Sequence, residues 1–421
     1  MYNFTAIGAI IGMALAIILI IKKFHPAYSL ILGALVGGLI GSHGDLALTV
    51  TTMMNGSSSM ITSVLRIMTS GILAGALIKT GAAEKIAQVI VSKLGNKRAL
   101  FAVAVATMII CAVGVFIDIS VITVAPIALA IGKEAGYNKQ SLLIAMIGGG
   151  KAGNIISPNP NTIAVSESFG VDLTSLMMKN IIPAICALIA TVILATMLSK
   201  KEGLQVLDTD LEKTESKELP SFTKAIVGPV IVILLLALRP IANIAIDPMI
   251  ALPVGGLICT VATGNIKKFS SFAEFGLGKV TGVSILLLGT GTIAGIIKAS
   301  ALQSAVIYVL NVFNMPAFLL APIAGILMAG ATASTTAGAT VAAQTFSSVL
   351  ASEGVNALAA GAMIHAGSTV IDSLPHGSFF HATGGSVNMN ISERMKLIAY
   401  EAMVGLTSTI VAVTLYLIST I

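Results

Sequence analysis

The chain has no tryptophan, and aromatic residues make up only 5% of it. A membrane protein built from it has a thin aromatic belt at the water boundary. Charge is also scarce. Asp, Glu, Lys and Arg together account for 10%, against about 25% in a soluble domain, which excludes an ordinary water-soluble domain. The net charge of +6 calls for no nucleic acid, because an inner-membrane protein collects Lys and Arg on its cytoplasmic side. The three cysteines, Cys111, Cys186 and Cys259, stand in apolar runs without metal spacing and read as inert core thiols. Enzyme signatures are missing too. There is no zincin helix motif, and Gly148-Gly-Gly-Lys151 lacks the spacing and the following Ser/Thr of a phosphate loop. Ser373, His376 and Asp372 lie too close on one segment for a catalytic triad. No cofactor is implied.

What the chain has is apolar sequence: 56% of residues, a mean hydropathy of +0.98 and 41 glycines. Glycine at this level suits packed transmembrane helices, where small residues let backbones approach. A span needs about 20 apolar residues. On that rule the first half gives spans at 4–21, 27–40 and 59–78, a polar-faced surface helix at 82–94, an apolar stretch at 99–131 around Asp118, a segment at 141–169 broken at 157–162, and a span at 181–198. The first run has no basic residue before it and no small-residue cleavage site after it, so it reads as a span and not a signal peptide. Residues 199–222 are the one long charged stretch and read as a solvated linker. The second half repeats the order, with spans at 225–238, 249–262 and 280–297, a surface helix near 302–312, an interrupted pair at 317–350, a broken helix at 355–382 and a span at 398–418.

The expected fold is therefore an all-α polytopic membrane protein of two repeats, 1–198 and 223–421, joined by the linker at 199–222. Each repeat has about five spans plus a re-entrant hairpin and a broken helix. Thirty-three residues of helix at 99–131 would be about 50 Å long, too long for one span of roughly 30 Å and too short for two, so a hairpin with Asp118 near its tip fits best. Charge placement then orients the chain. With both termini outside, Lys179, Arg239 and Lys298 fall outside, Arg66 and Lys151 fall within spans, and every other Lys and Arg falls inside, Lys97, Lys213, Lys217 and Lys279 among them. Five crossings per half invert the second repeat relative to the first. Repeats of this kind, with helices interrupted at matching places, mark secondary transporters and their binding sites.

Two hairpin tips and two unwound segments are expected to meet near the midplane, where irregular backbone is tolerated only against protein or a water-filled cavity. Asp118 at the first tip is a candidate proton carrier, with a structural pair to Lys151 as the alternative. Lys151 is a candidate for the substrate carboxylate, with snorkelling as its alternative. In the first break, Ser157, Asn159, Asn161 and Thr162 offer neutral donors and acceptors between two prolines. Ser334, Thr335 and Thr336 match Asp118 by the repeat, although hydroxyls at a tip also bond back to their own helix. Asp372, His376 and Ser378 form the second break: Asp372 is a further ion-coupling candidate, Ser378 a substrate-binding one, and His376 a candidate to couple protons or pair with a carboxylate, with a structural histidine as the alternative. His365 and His381 read as bundle-facing polar residues, and Arg66 as a snorkelling or scaffold residue.

The stretches Phe116-Ile-Asp-Ile-Ser-Val-Ile-Thr-Val-Ala-Pro-Ile-Ala-Leu-Ala-Ile131 and Gly148-Gly-Gly-Lys-Ala-Gly-Asn-Ile-Ile-Ser-Pro-Asn-Pro-Asn-Thr162, with Gly330-Ala-Thr-Ala-Ser-Thr-Thr336 and Ile371-Asp-Ser-Leu-Pro-His-Gly-Ser378, resemble the gluconate permease family of the ion-transporter superfamily over nearly the whole chain. At longer range the chain is similar to sodium-coupled dicarboxylate carriers. The resemblance implies a homodimer with a scaffold part and a moving transport part, and it makes Lys151 a residue that stands where relatives hold a cation. The chain departs from gluconate carriers at Asn159 and Asn161, where those tend to have a histidine. Residues 372–389 look closer to permeases for short hydroxy acids such as 3-hydroxybutyrate. The reading that follows is an inner-membrane carrier that imports a small organic anion with H⁺. Its alternatives are a Na⁺-coupled di- or tricarboxylate carrier and a cation/proton antiporter without organic substrate.

Overall fold

The computed structural model of the chain describes residues 3–95, 98–211 and 218–420. Lys97, Lys213, Lys217 and the part of the linker at 212–217 lie outside the described residues. Helices make up the regular structure. The first half comprises α1 (Ala6–Ile21), α2 (Pro26–Gly41), α3 (Leu46–Ser58), α4 (Ile61–Lys79), α5 (Ala82–Leu94), α6 (Ala99–Ala112), α7 (Ile117–Ala135), α8 (Lys139–Asn154), α9 (Pro160–Phe169), α10 (Leu173–Lys179) and α11 (Ile181–Ser199). The second comprises α12 (Phe222–Ala242), α13 (Pro248–Ala262), α14 (Phe269–Lys298), α15 (Leu302–Val312), α16 (Leu320–Thr332), α17 (Thr335–Ser352), α18 (Ala357–Gly367), α19 (Ser378–Gly385), α20 (Ile391–Met395) and α21 (Ile398–Thr420). Element by element the two series match, with the α3–α4 pair standing opposite the single long α14.

Local sequence sets these boundaries. Side-chain caps start many of the helices: Asp45 accepts from Leu48 N–H, Asn138 from Ser141 N–H, Asp172 from Ser175 N–H and Asn356 from Ala359 N–H. Pro26, Pro160 and Pro248 stand in first turns, where a missing N–H costs nothing. Among the described residues, four helical segments are long and apolar enough to cross a membrane unaided: Leu46–Lys79, Ile181–Ser199, Ile266–Lys298 and Ile391–Thr420.

The inversion of the repeats is visible where α3–α4 and α14 cross. A Cβ added to Gly56 would lie 2.2 Å from the Gly291 carbonyl oxygen, and one added to Gly276 would lie 1.8 Å from that of Gly71. Gly75 meets Phe272 and Gly276, and Gly295 meets Thr52 and Gly56. Rising numbers on one helix meet falling numbers on the other, so the helices run antiparallel. Gly56, Gly71 and Gly75 stand to Gly276, Gly291 and Gly295 at a constant offset of 220 residues. An antiparallel pair whose contacts map onto each other at one offset is related by a two-fold axis across the helices.

Around this crossing two bodies form. In one, α1 and α2 pack on α14, and α12 and α13 pack on α4. In the other, α6–α9 and α16–α19 pack together with α11 and α21. The amphipathic α5 and α15 run between the bodies. α5 buries Ala82, Ala83, Ile86, Ala87 and Val91 and turns its lysines outward, as expected of a surface helix.

The molecule has two end faces. Phe4, Gly41 and Ser300 meet on one, through Thr5 N–H to the Gly41 carbonyl and Ala301 N–H to that of Phe4. The other, basic face carries the loops after α4 and α7 and the linker. There the linker is strapped down: Lys139 N–H donates to the Leu204 carbonyl, Leu204 N–H donates to Gln140 Oε1 at 2.9 Å, and the Lys139 ammonium donates to Asp210 at 2.7 Å. Burial works against the charge of Asp210. Hydrogen bonds from Lys139, Leu207 N–H and Asn388, with the Lys139 charge, outweigh it and hold this carboxyl below the usual aspartate range.

Three expectations need correction. The third span of each half is longer than its apolar core: helix begins at Leu46 and at Phe269. Lys279 is therefore not a loop residue but lies inside α14. The first break comes earlier than 157–162, because α8 ends at Asn154 and Asn159 caps α9, which already contains Asn161 and Thr162.

Candidate functional site

Four helices begin at one place. The chain breaks at 113–116 and restarts as α7; it breaks at 155–159 and restarts as α9; it turns at Ala333–Ser334 and restarts as α17; it breaks at 368–377 and restarts as α19. Ile117, Asn161, Thr335 and Ser378, all in the opening turns of those helices, line one cavity of about 280 Å³. Its walls are completed by Phe116, Asp118, Ile119, Asn154, Asn159, Ala333, Ser334, Thr336, Asp372 and Phe379, and by Lys279, Gly282, Val283 and Leu286 on α14. A helix N-terminus presents free N–H groups and the positive end of its dipole. Four such helix starts at one cavity offer N–H donors and positive dipole ends of the kind that suit an anion.

The neutral side chains hold this arrangement. Asn159 accepts from the N–H groups of Asn161 and Thr162 at 3.0 and 3.1 Å, and its Nδ2 donates to Asn154 Oδ1 at 2.6 Å. Asn161 Nδ2 donates to the same Asn154 oxygen at 3.0 Å. The hydroxyl of Thr336 donates to Asn161 Oδ1, joining α17 of the second repeat to α9 of the first. Asn154 Nδ2 is buried without a partner on a residue that lines the cavity. At the other turn, Ser334 Oγ accepts from Ala337 N–H at 3.2 Å, and Ala333 is held at a left-handed φ of 45°. That conformation is strained for a residue with a Cβ, and strain of this kind gathers at functional sites.

Charge divides into two sets. Asp372 is closed off. The Lys151 ammonium lies 2.7 Å from its Oδ1 and donates also to the Thr369 carbonyl at 2.5 Å, while Thr335 Oγ1 donates to its Oδ2 at 2.5 Å. Asp118 is different. It stands in the first turn of α7, half-buried at the cavity wall, in the field of the Lys279 ammonium. The Lys279 and Lys79 ammoniums both lie over the Phe275 ring, at 5.3 and 4.1 Å from its centroid.

Of the candidate residues, the structure gathers Asp118, Asn159, Asn161, Ser334, Thr335, Thr336, Asp372 and Ser378 around the cavity. Lys151, Ser157, Thr162 and His376 are not among its lining residues. Lys151 is turned to Asp372 and not to Asp118. Ser157 is fully buried with its hydroxyl unpartnered. Thr162 sits one turn into α9 with its hydroxyl against Asn159, and the His376 ring lies 3.3 Å from the Ala331 carbonyl. His381 contacts the Pro375 carbonyl at 2.8 Å, and His365 is fully buried. Sequence reasoning missed Asn154, whose signal was the run of three asparagines at 154, 159 and 161, and Lys279, a lone lysine at the mouth of an apolar run. It also missed a cluster on the far side of α4. There Arg66 forms ion pairs with both Glu167 at the end of α9 and Asp247 at the start of α13, with Arg66 Nε 3.0 Å from Asp247 Oδ1.

Comparisons with known proteins agree with this architecture. The family model of the GntP family permease matches residues 4–421. An uncharacterized transporter of Haemophilus influenzae is 54% identical over 416 residues, covering 99% of both chains. The high-affinity gluconate transporter of Escherichia coli is 24% identical over 73% of this chain and 72% of its own. Among solved structures, the Alcanivorax borkumensis YdaH transporter, reported as having an unusual topology, superposes with a TM-score of 0.66 at 14% identity, covering 90% of this chain and 89% of that one. With apolar helices long enough to cross a membrane, a cavity built from four helix starts, and a family match over residues 4–421, the chain is a multi-pass membrane protein that belongs to the GntP permease family.

Proposed function

We propose that the chain imports a small hydroxylated organic anion, gluconate or a short hydroxy-monocarboxylate, together with a proton across the bacterial inner membrane. It does so by alternating access between two inverted repeats, 1–198 and 223–421, joined by the cytoplasmic linker at 199–222. The observation that carries this reading is the single cavity where four helix N-termini, neutral amides and hydroxyls, and one carboxylate without a salt bridge converge. The N-termini suit a carboxylate. Asn154, Asn159, Asn161, Ser334 and Thr336 suit the hydroxyls of such an anion. The E. coli gluconate transporter among the relatives is named for a polyhydroxy carboxylate.

Asp118 supplies the coupling. A carboxylate bound in this cavity and the Asp118 carboxylate repel unless a proton neutralises one of them, so anion and proton favour entering together. Asp372 is less suited to the task, because Lys151 and Thr335 already hold its charge. The helix pairs α6–α7 and α16–α17 act as re-entrant hairpins. Both termini lie outside, the membrane lipid is the solvent of the apolar faces, and the carrier works as a homodimer, as the family resemblance implies.

The deciding experiment is uptake into proteoliposomes with gluconate, 3-hydroxybutyrate and citrate, run separately with a pH gradient and a Na⁺ gradient. Accumulation of a hydroxy-monocarboxylate driven by the pH gradient is the expected result. Dependence on Na⁺, or a preference for citrate, replaces it with a sodium-coupled carrier. Proton flux that no carboxylate alters replaces it with an antiporter.

A further inference from the structure

The constant offset that relates the two long helices makes the far side of α3–α4 readable as a second cavity wall. At 220 residues, Val283 and Leu286, which line the anion cavity, correspond to Ser63 and Arg66. Their present surroundings differ sharply. Val283 faces the open cavity, whereas Ser63 is 2% exposed and Arg66 is tied to Glu167 and Asp247. The two acids belong to different bodies: Asp247 opens α13, which packs on α4, and Glu167 closes α9 in the body that carries the helix starts. Arg66 thus spans the boundary that must open if the cavity is to face the other way. The cluster borders a second, smaller cavity of about 160 Å³ on the side away from Lys279, and Glu167 also borders a third of about 430 Å³. Space exists there for the bodies to part.

We propose that Arg66 serves both ends of the transport cycle. In the state seen here it is a lock: its guanidinium bridges Glu167 and Asp247 and keeps the face away from the basic end closed. In the opposite-facing state, released from Glu167, it stands in the wall of the anion site where Leu286 stands now and is the scaffold cation that the carboxylate meets. Two-fold related walls thereby present different cations, Lys279 in one state and Arg66 in the other. A planar guanidinium that pairs two carboxylates in one state is chemically fitted to pair with a substrate carboxylate in the next. The lock requires a moving boundary between the bodies; the second role rests on the anion reading given above.

The test uses the full chain in membrane vesicles of both orientations, with Cys111, Cys186 and Cys259 replaced and one reporter, Ser63→Cys or Val283→Cys. An impermeant maleimide reads accessibility, and no substrate is needed for the lock. Glu167→Gln, a near-isosteric change, is expected to raise Ser63→Cys labelling at least several-fold from the face away from the basic end and to lower Val283→Cys labelling from the basic face. Unchanged labelling of both reporters overturns the lock. For the second role, gluconate is added to the Glu167→Gln protein. It is expected to slow Ser63→Cys labelling when Arg66 is present and to lose that effect in Arg66→Gln; equal protection in both overturns it. If gluconate and 3-hydroxybutyrate protect neither reporter in any variant while the labelling shift persists, the anion reading fails and the lock stands.

Discussion

The Lys151 ammonium lies 2.7 Å from Asp372 Oδ1, with the two side chains 1% and 2% exposed. The residues are 221 positions apart and come from the broken helices of different repeats. This buried pair is a clasp within one body, and its energetics are those of a charge pair taken out of water. Removing one partner strands the other and costs about 3–5 kcal/mol, whereas removing both together is far milder. Lys151→Met and Asp372→Asn are each expected to lower the melting temperature of the purified protein markedly, and the double variant is expected to recover most of the loss. A double variant no better than the worse single one would show that the pair does not act as a unit.

Asp118 is expected to report on coupling. Asp118→Asn should abolish accumulation driven by a pH gradient while leaving exchange of internal for external substrate measurable, since exchange needs no net proton movement. Counterflow and gradient-driven uptake in the same vesicles separate the two. Wild-type pH dependence of uptake in this variant would rule Asp118 out as the coupling group.

Neighbouring threonines at the second turn should behave differently. Thr336 donates to Asn161 at the cavity wall, and Thr335 donates to the clasped Asp372. Asn161→Ala and Thr336→Val are expected to weaken anion binding about tenfold each with little change in melting, and to be non-additive when combined, by about 0.5–3 kcal/mol, as contacting residues are. Thr335→Val should instead lower the melting temperature by leaving a buried carboxylate oxygen short of a donor. Binding measured by calorimetry alongside thermal melting distinguishes the two patterns.

The linker strap gives a prediction in pH. Hydrogen bonds from Lys139, Leu207 N–H and Asn388 hold the Asp210 carboxyl below its usual range. A carboxyl lowered in the folded state contributes stability that is present above the unfolded value, about 3.9, and is lost as pH falls through the lower folded value. Limited proteolysis of the linker should therefore show protection that holds from neutral pH down to the ordinary aspartate range and fails only beneath it. Asp210→Asn should be cut readily at pH 7. Loss of wild-type protection near pH 6 would assign the strap to another group.

The order of elements was legible because breaks, caps and apolar runs are written locally. Pro158 and Pro160, Gly114 and the threonines after Gly330 mark where helices must stop whatever surrounds them. The surface helix at 82–94 was equally plain from its polar face, and its counterpart at 302–312 followed from the repeated order of elements. Partners were not legible. Arg66 reads as a stray charge in a span because its acid Asp247 lies 181 residues away. Lys279 reads as the end of a loop because nothing local says that α14 continues through it beside an open cavity. Ser157 and His376 were indistinguishable from Asn159 and Ser378 on composition alone. Which side of a broken helix faces the cavity is fixed by packing between repeats, and one strand of sequence does not record it.

The glycine crossing of α3–α4 with α14 constrains how such a machine can run. Backbone touches backbone there, and an added methyl at Gly75 would fall 2.1 Å from the Phe272 carbonyl oxygen. Interdigitated side chains can change rotamers and let helices slide, but two backbones in contact have no such slack. Under the alternating access proposed above, the crossing is a fixed bearing, and travel is taken up by the bundle that holds the four helix starts, through the short turns at 80–81 and 299–301 that lead into α5 and α15. On that proposal, a bearing of this kind lets one bundle move as a unit without loosening its mount, so the cavity changes sides without being taken apart.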